Sequence, residues 1–161
     1  VVERKFEIVV NEYSSLEELQ KSDRELIREA MDASTKAYAP YSGFNVGAAV
    51  MIGDGSILKG NNRENAAFPS GSCAEKTVIN YTGANYPDEK IINIAICASI
   101  DGKFTEDPVS PCGSCRQLIA EEEERTGKKI GIILFGTKKI VVINGVSNLL
   151  PLQFHKTNLK G

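Results

Sequence analysis

Two short segments carry residues able to do chemistry together, Cys73-Ala-Glu75 and Pro111-Cys112-Gly-Ser-Cys115. Each stands where a helix is expected to begin. Unpaired backbone N–H groups and the positive end of the helix dipole stabilise a thiolate at such a terminus, which eases metal binding near neutral pH. Catalytic zinc typically takes three protein ligands and keeps one position for water, whereas structural zinc is closed by four. Cys73, Cys112 and Cys115 supply three, and one Zn2+ per subunit is expected. Cys97 lies inside the apolar run Ile94-Ala-Ile-Cys-Ala98 and reads as a small core hydrophobe. His155 is the only histidine and is isolated in the tail, so neither a histidine ligand nor a Cys-His nucleophile is supported. Glu75, two residues past the first thiol, can face the open position from outside the ligand set and move protons there. The spacing points to zinc-assisted hydrolysis of an amine. A Cys-x-x-Cys on its own fits a redox pair equally well.

Such a site needs two helix starts that converge, and the remaining sequence reads as the sheet that carries them. Residues 5–10 begin with alternating polar and apolar residues and are rich in β-formers, which predicts an edge strand. Leu16, Leu19, Leu26, Ile27, Ala30 and Met31 fall on one helical face within residues 15–38, a helix ended by Pro40. Capping-box pairs Ser15/Glu18 and Ser22/Glu25 predict a short first helix or a break near Lys21. Strands at 46–52 and 57–60 are joined by a link far too short for a parallel crossover, so they form an antiparallel hairpin. A polar loop over 61–72 leads into a helix over 73–82, then an apolar strand over 91–98. A second helix over 113–126 turns Leu118 and Ile119 inward and Glu121 to Glu124 outward as a solvated face. Strands over 130–135 and 139–143 close a second hairpin. A strand, a helix and a parallel strand between two hairpins define an α/β chain. The expected architecture is a three-layer α/β/α sandwich with a mixed five-stranded sheet and an extra N-terminal strand. Residues 1–161 read as one domain, with 1–12 as an N-terminal extension.

The 161 residues are 42% hydrophobic and 25% charged, the composition of a globular protein. A net charge of -2 gives no positive field to gather phosphates, so nucleic acid is not the expected partner. No apolar stretch approaches the roughly 18 residues of a membrane span, so no membrane role is expected. The cysteines fit a reduced, cytoplasmic protein. A small, weakly charged substrate suits these totals.

An x-Glu after the first ligand followed by Pro-Cys-x-x-Cys is the pattern of zinc deaminases. At these residues the chain resembles the cytidine deaminases, in particular the small, homotetrameric kind with three cysteines on zinc. The likeness runs from Ala37-Tyr-Ala-Pro-Tyr-Ser-Gly-Phe44 and Val46-Gly-Ala-Ala through Glu64-Asn-Ala and Cys73-Ala-Glu. It continues over Ser110-Pro-Cys-Gly-Ser-Cys-Arg-Gln117 to Leu149-Leu-Pro-Leu-Gln-Phe154. The resemblance implies hydrolytic deamination of cytidine and deoxycytidine to uridine and deoxyuridine with release of ammonia, a step of pyrimidine salvage. It further implies that Asn62 and Glu64 hold the ribose hydroxyls and that Phe44 lines the pyrimidine pocket. The Ala74 backbone would meet the base carbonyl, and Phe154 would come from a neighbouring subunit of the tetramer. By residue type alone, Asn62 and Glu64 fit a polar turn, and Phe44 and Phe154 fit a core.

Two departures stand out. Lys76 occupies a position where the family often has Arg. Three thiolates on one Zn2+ leave a net charge near -1, so Arg116 and the helix starts are expected to share charge compensation with Lys76. Phe68 stands where many relatives have Tyr, and Asn61-Asn62-Arg63 replaces the commoner Cys-Asn-Ile, which bears on substrate preference. Two alternatives remain at this level: a deaminase of blasticidin-like or other modified cytosine nucleosides, and a structural zinc or redox module.

Overall fold

Apolar β-branched runs separated by short links build the sheet, and two helix starts are delivered to one end of it. The computed structural model describes residues 1–159. Strand β1 spans Asn11–Tyr13, helix α1 Lys21–Ser34, β2 Phe44–Ile52, β3 Ile57–Asn61 and α2 Ala74–Asn85. Strands β4 (Ile91–Ile100) and β5 (Lys103–Phe104) precede α3 (Gly113–Thr126), β6 (Gly131–Phe135) and β7 (Ile140–Asn144). Among the described residues the strands form one seven-stranded sheet in the order β1-β7-β6-β4-β2-β3, with β5 paired to β4. Both expected hairpins are antiparallel, and β4 runs parallel to β6 across α3.

The three layers follow from the two faces of each central strand. Leu26, Ile27 and Ala30 of α1 pack against Ala49, Ala95 and Ile133 on one face. Val78 and Ile79 of α2 and Ile119 of α3 pack against Val50, Ile96 and Ile132 on the other. Strand β4 is covered on both sides, which is why its sequence is a continuous apolar run rather than an alternation. Cys97 belongs to the α1-side core and is 0% exposed. Among the described residues no helix is long and apolar enough to cross a membrane.

The differences from the sequence expectation have local causes. The N-terminal strand forms at Asn11–Tyr13 rather than over 5–10, pairing Asn11 with Val142 and Tyr13 with Ile140. Extending that register puts Val9 opposite Asn144, the last residue of β7, so residues 5–8 lie beyond the end of the strand that would pair with them. The short helix at Leu16–Glu18 carries the Ser15/Glu18 capping box, but α1 starts from Gln20, which leaves Ser22 inside the helix. Helix α1 also stops at Ser34, before Pro40. The Ser34 and Thr35 hydroxyls donate to the Met31 and Asp32 carbonyls, and Tyr38 turns away to pair with the 62–64 segment. Strand β5 adds a small hairpin to the five strands expected. Of the four consecutive glutamates only Glu121 is exposed. Glu123 is drawn inward because its Oε1 accepts the Ile130 and Val146 N–H groups at 2.8 and 3.0 Å.

Candidate metal centre and active site

Helices α2 and α3 begin on the same side of the sheet, and their first residues meet. Cys73 and Cys112 are the N-cap residues of the two helices, each with extended backbone, and Cys115 lies in the first turn of α3. The Cys73 and Cys112 carbonyls accept the first intrahelical bonds, from Thr77 N at 3.0 Å and Arg116 N at 2.9 Å. The three sulfurs lie within 4.8 Å of one another, and those of Cys73 and Cys112 are 3.9 Å apart. Two thiolates on one tetrahedral zinc with Zn–S of about 2.3 Å stand roughly 3.8 Å apart, the spacing that Cys73 and Cys112 already have. Cys73 and Cys112 are accessible and Cys115 is buried, so the cluster is open on one side.

The thiols share their protons unevenly. A hydrogen bond with Cys115 lowers the Cys73 thiol to about 6, and the charge of Lys76 assists. The same bond and burial push Cys115 upward. Lys76 itself is exposed. Arg116 was assigned by sequence to the same compensation, yet its Nε and Nη1 donate to the Pro111 and Leu149 carbonyls at 2.9 and 2.8 Å. Among the described residues no hydrogen bond joins it to a cysteine sulfur. Its fork ties the loop entering α3 to the C-terminal segment.

The cluster opens on a cleft of about 670 Å3, within the size range of small-molecule sites. Glu75 lines it at 5% exposure, and burial raises its carboxyl above the ordinary range, so it keeps a proton more readily than a surface glutamate. Ala74 and half-buried Phe44 and Asn62 also line the cleft, with Glu64 and Phe68. Asn62 Oδ1 accepts Val46 N at 2.8 Å while its Nδ2 donates to Phe44 O at 2.9 Å. Glu64 accepts Tyr41 N, Ser42 N and the Ser42 hydroxyl at 2.9, 3.2 and 2.5 Å. Phe154 does not line the cleft. It is 58% exposed, and its backbone is held by the Gln117 amide through Nε2 at 2.8 Å and Oε1 at 3.4 Å.

The bond of Ser42 to Glu64 is not legible in the Tyr41-Ser42-Gly43-Phe44 run. The serine's contacts come from a segment more than twenty residues away, which no local pattern reports. Nor is Gly60 legible as the place where the start of α2 comes close to β3.

A mixed α/β sheet with three converging thiols at two helix starts and a buried carboxyl beside them defines the class of zinc hydrolytic sites. The zinc-binding region of cytidine and deoxycytidylate deaminases matches residues 20–128 of this chain. The cytidine deaminase of Sporosarcina psychrophila is 38% identical over 134 residues, 83% of this chain and 92% of that protein. That of Halalkalibacterium halodurans is 43% identical over 96 residues, 60% of this chain and 68% of that protein. The crystal structure of cytidine deaminase from Burkholderia pseudomallei superposes with a TM-score of 0.69 at 34% identity, covering 81% of this chain and 97% of that one. The chain belongs to the cytidine and deoxycytidylate deaminase zinc-binding family.

Proposed function

We propose that the protein hydrolyses cytidine and deoxycytidine to uridine and deoxyuridine with release of ammonia, using Glu75 as proton carrier and Cys73, Cys112 and Cys115 as zinc ligands. The observation that carries this reading is the buried Glu75 carboxyl on the wall of the same cleft onto which the three-thiol cluster opens. When bound, zinc supplies Lewis acidity that sharpens water as a nucleophile near neutral pH. Glu75 takes a proton from the attacking water and passes it to the ring nitrogen beside the attacked carbon. It then takes the second proton from the oxygen newly bound to that carbon and gives it to the exocyclic amine, which leaves as ammonia as that oxygen becomes the carbonyl. Its burial suits a group that must hold a proton at one stage and release it at the next. Phe44 offers an apolar face to the base, and the Ala74 backbone is within the cleft for the base carbonyl. Asn62 and Glu64 are the sugar-binding pair. Lys76 offsets thiolate charge through its field on Cys73, and Arg116 contributes its charge without a bond to sulfur.

Phe154 serves the cleft of a neighbouring copy in a homotetramer; its exposure and its position outside its own cleft support this assignment. Sedimentation velocity tests it, and a monomer at working concentration overturns it. The activity is tested by zinc content and by the fall in ultraviolet absorbance with cytidine, deoxycytidine, dCMP, adenosine, guanosine and blasticidin S. Ammonia release from cytidine with one zinc per chain is the expected result. Metal-free protein with a reducible Cys112-Cys115 disulfide refutes it.

A further inference from the structure

Both proposed sugar-facing side chains are held by one segment, residues 41–46, although they come from the loop after β3. Phe44 O and Val46 N take the two ends of the Asn62 amide at 2.9 and 2.8 Å. Tyr41 N and Ser42 N bind one oxygen of Glu64, and the Ser42 hydroxyl binds the other. Gly43 lies between the two groups of contacts at φ +67°, and its N–H closes the turn on Ala39 O at 2.9 Å. A side chain rarely adopts that conformation, so the glycine lets Ser42 and Phe44 both point toward the 62–64 segment.

From this geometry we propose that Ser42 is a positioning residue for substrate binding, locking the Glu64 carboxylate in the orientation in which it receives a sugar hydroxyl. This rests on the reading of Glu64 as a sugar-binding residue.

The direction of the Ser42 bond is determined. Its oxygen already accepts Phe44 N–H at 3.0 Å, and a carboxylate only accepts, so the hydroxyl hydrogen is directed at Glu64 Oε1. At 2.5 Å the contact is short, as charge-assisted O–H···O bonds are. The hydroxyl is also the leading reason that the Glu64 carboxyl sits below its ordinary range, ahead of the Tyr41 amide. A carboxylate has about four acceptor positions, and three donors from one turn leave Glu64 a single open one, on Oε1. The group is thereby oriented before substrate arrives, and little rotamer freedom remains to be lost on binding. Without the Ser42 hydroxyl the carboxylate keeps two amide donors on Oε2 but loses the bond that sets the direction of Oε1.

The experiment compares Ser42→Ala, Ser42→Thr and Glu64→Gln with the parent in steady-state deamination of cytidine, with zinc content and thermal midpoint measured on each. Ser42→Ala is expected to raise KM about tenfold with kcat within about twofold, the signature of lost binding common to ground and transition states. Ser42→Thr, which keeps the hydroxyl, returns KM toward the parent value, and zinc content is unchanged throughout. An unchanged KM in Ser42→Ala together with a raised KM in Glu64→Gln overturns the positioning role and leaves the sugar reading standing. An unchanged KM in Glu64→Gln refutes the sugar reading and the proposal with it. Zinc loss or a parallel fall in kcat and thermal midpoint in Ser42→Ala, without rescue by threonine, makes Ser42 a structural turn residue and also overturns the proposal.

Discussion

Gly60 is the point at which the start of α2 rests on the sheet, and replacing it by alanine tests whether that close approach sets the catalytic geometry. A Cβ at Gly60 would stand 2.9 Å from Val78 N, 3.0 Å from Ala74 O and 3.1 Å from Val78 Cβ. Two of these neighbours are helix backbone, so they cannot swing aside as a side-chain tip could. Restoring contacts to about 3.5 Å requires the first turns of α2 to move by roughly 0.5 Å. Ala74 lies between Cys73 and Glu75, so the movement carries both the thiol and the carboxyl. A misplacement of about 1 Å can cost about 100-fold in rate, and half that displacement corresponds to about tenfold in kcat. Overpacking of this kind costs about 1–3 kcal/mol, or about 2–4 °C of thermal midpoint per kcal/mol. The assay is kcat from the absorbance change of cytidine, with zinc per chain and thermal midpoint measured on the same preparation. Gly83→Ala supplies the control, since Gly83 lies in the same helix and nothing is within 4 Å of its added Cβ. It should gain about 0.5–1 kcal/mol and keep full activity. A Gly60→Ala protein with parental kcat and full zinc would show that the approach of α2 to β3 does not govern the site.

Glu75→Gln should keep zinc and fold while kcat falls by about 100- to 10,000-fold, the usual contribution of a positioned proton carrier; substantial residual turnover contradicts its role. Glu123→Ala leaves the Ile130 and Val146 N–H groups unpaired beside residues that are 1% and 0% exposed, at about 1–3 kcal/mol for each lost partner. A lower urea midpoint checks this, and Glu123→Gln, which retains an oxygen acceptor, should lose less. Burial pushes the Cys97 thiol up to about 11, so alkylation at about pH 8 should spare it in the native protein and reach it after unfolding, read by peptide mass. Dialysis against a strong chelator should expose Cys73, Cys112 and Cys115 to thiol titration, and added zinc should mask them again.

The elements around the metal were legible because their signals are local. A hairpin link too short for a crossover permits one arrangement, which is why β2–β3 and β6–β7 came out as expected. The two Cys-led segments open helices at Cys73 and Cys112, as expected. Cys97 was legible as core from its apolar neighbours. The N-terminal strand was misplaced because residues 5–10 have strand propensity, but a strand also needs a partner edge, and β7 ends too soon to supply it. Glu123 was read as solvated because its charge is visible in sequence, while the two amides that draw it inward come from residues seven and twenty-three positions away. The tie of Arg116 to the C-terminal segment was likewise illegible, since the Leu149 carbonyl that takes its Nη1 is 33 residues distant.

Residue type and short spacing therefore determined the ingredients of the site on their own: three thiols at two helix starts, a carboxyl two residues from one of them, and the α/β pattern that carries both. These depend on backbone geometry within a few residues, which the local sequence dictates. Only the tertiary structure decided how the site is held. The seating of α2 on Gly60, the hydroxyl of Ser42 on Glu64 and the attachment of Arg116 to the C-terminal segment each join residues far apart in the chain. Such contacts depend on where the packed sheet and helices bring distant backbones together.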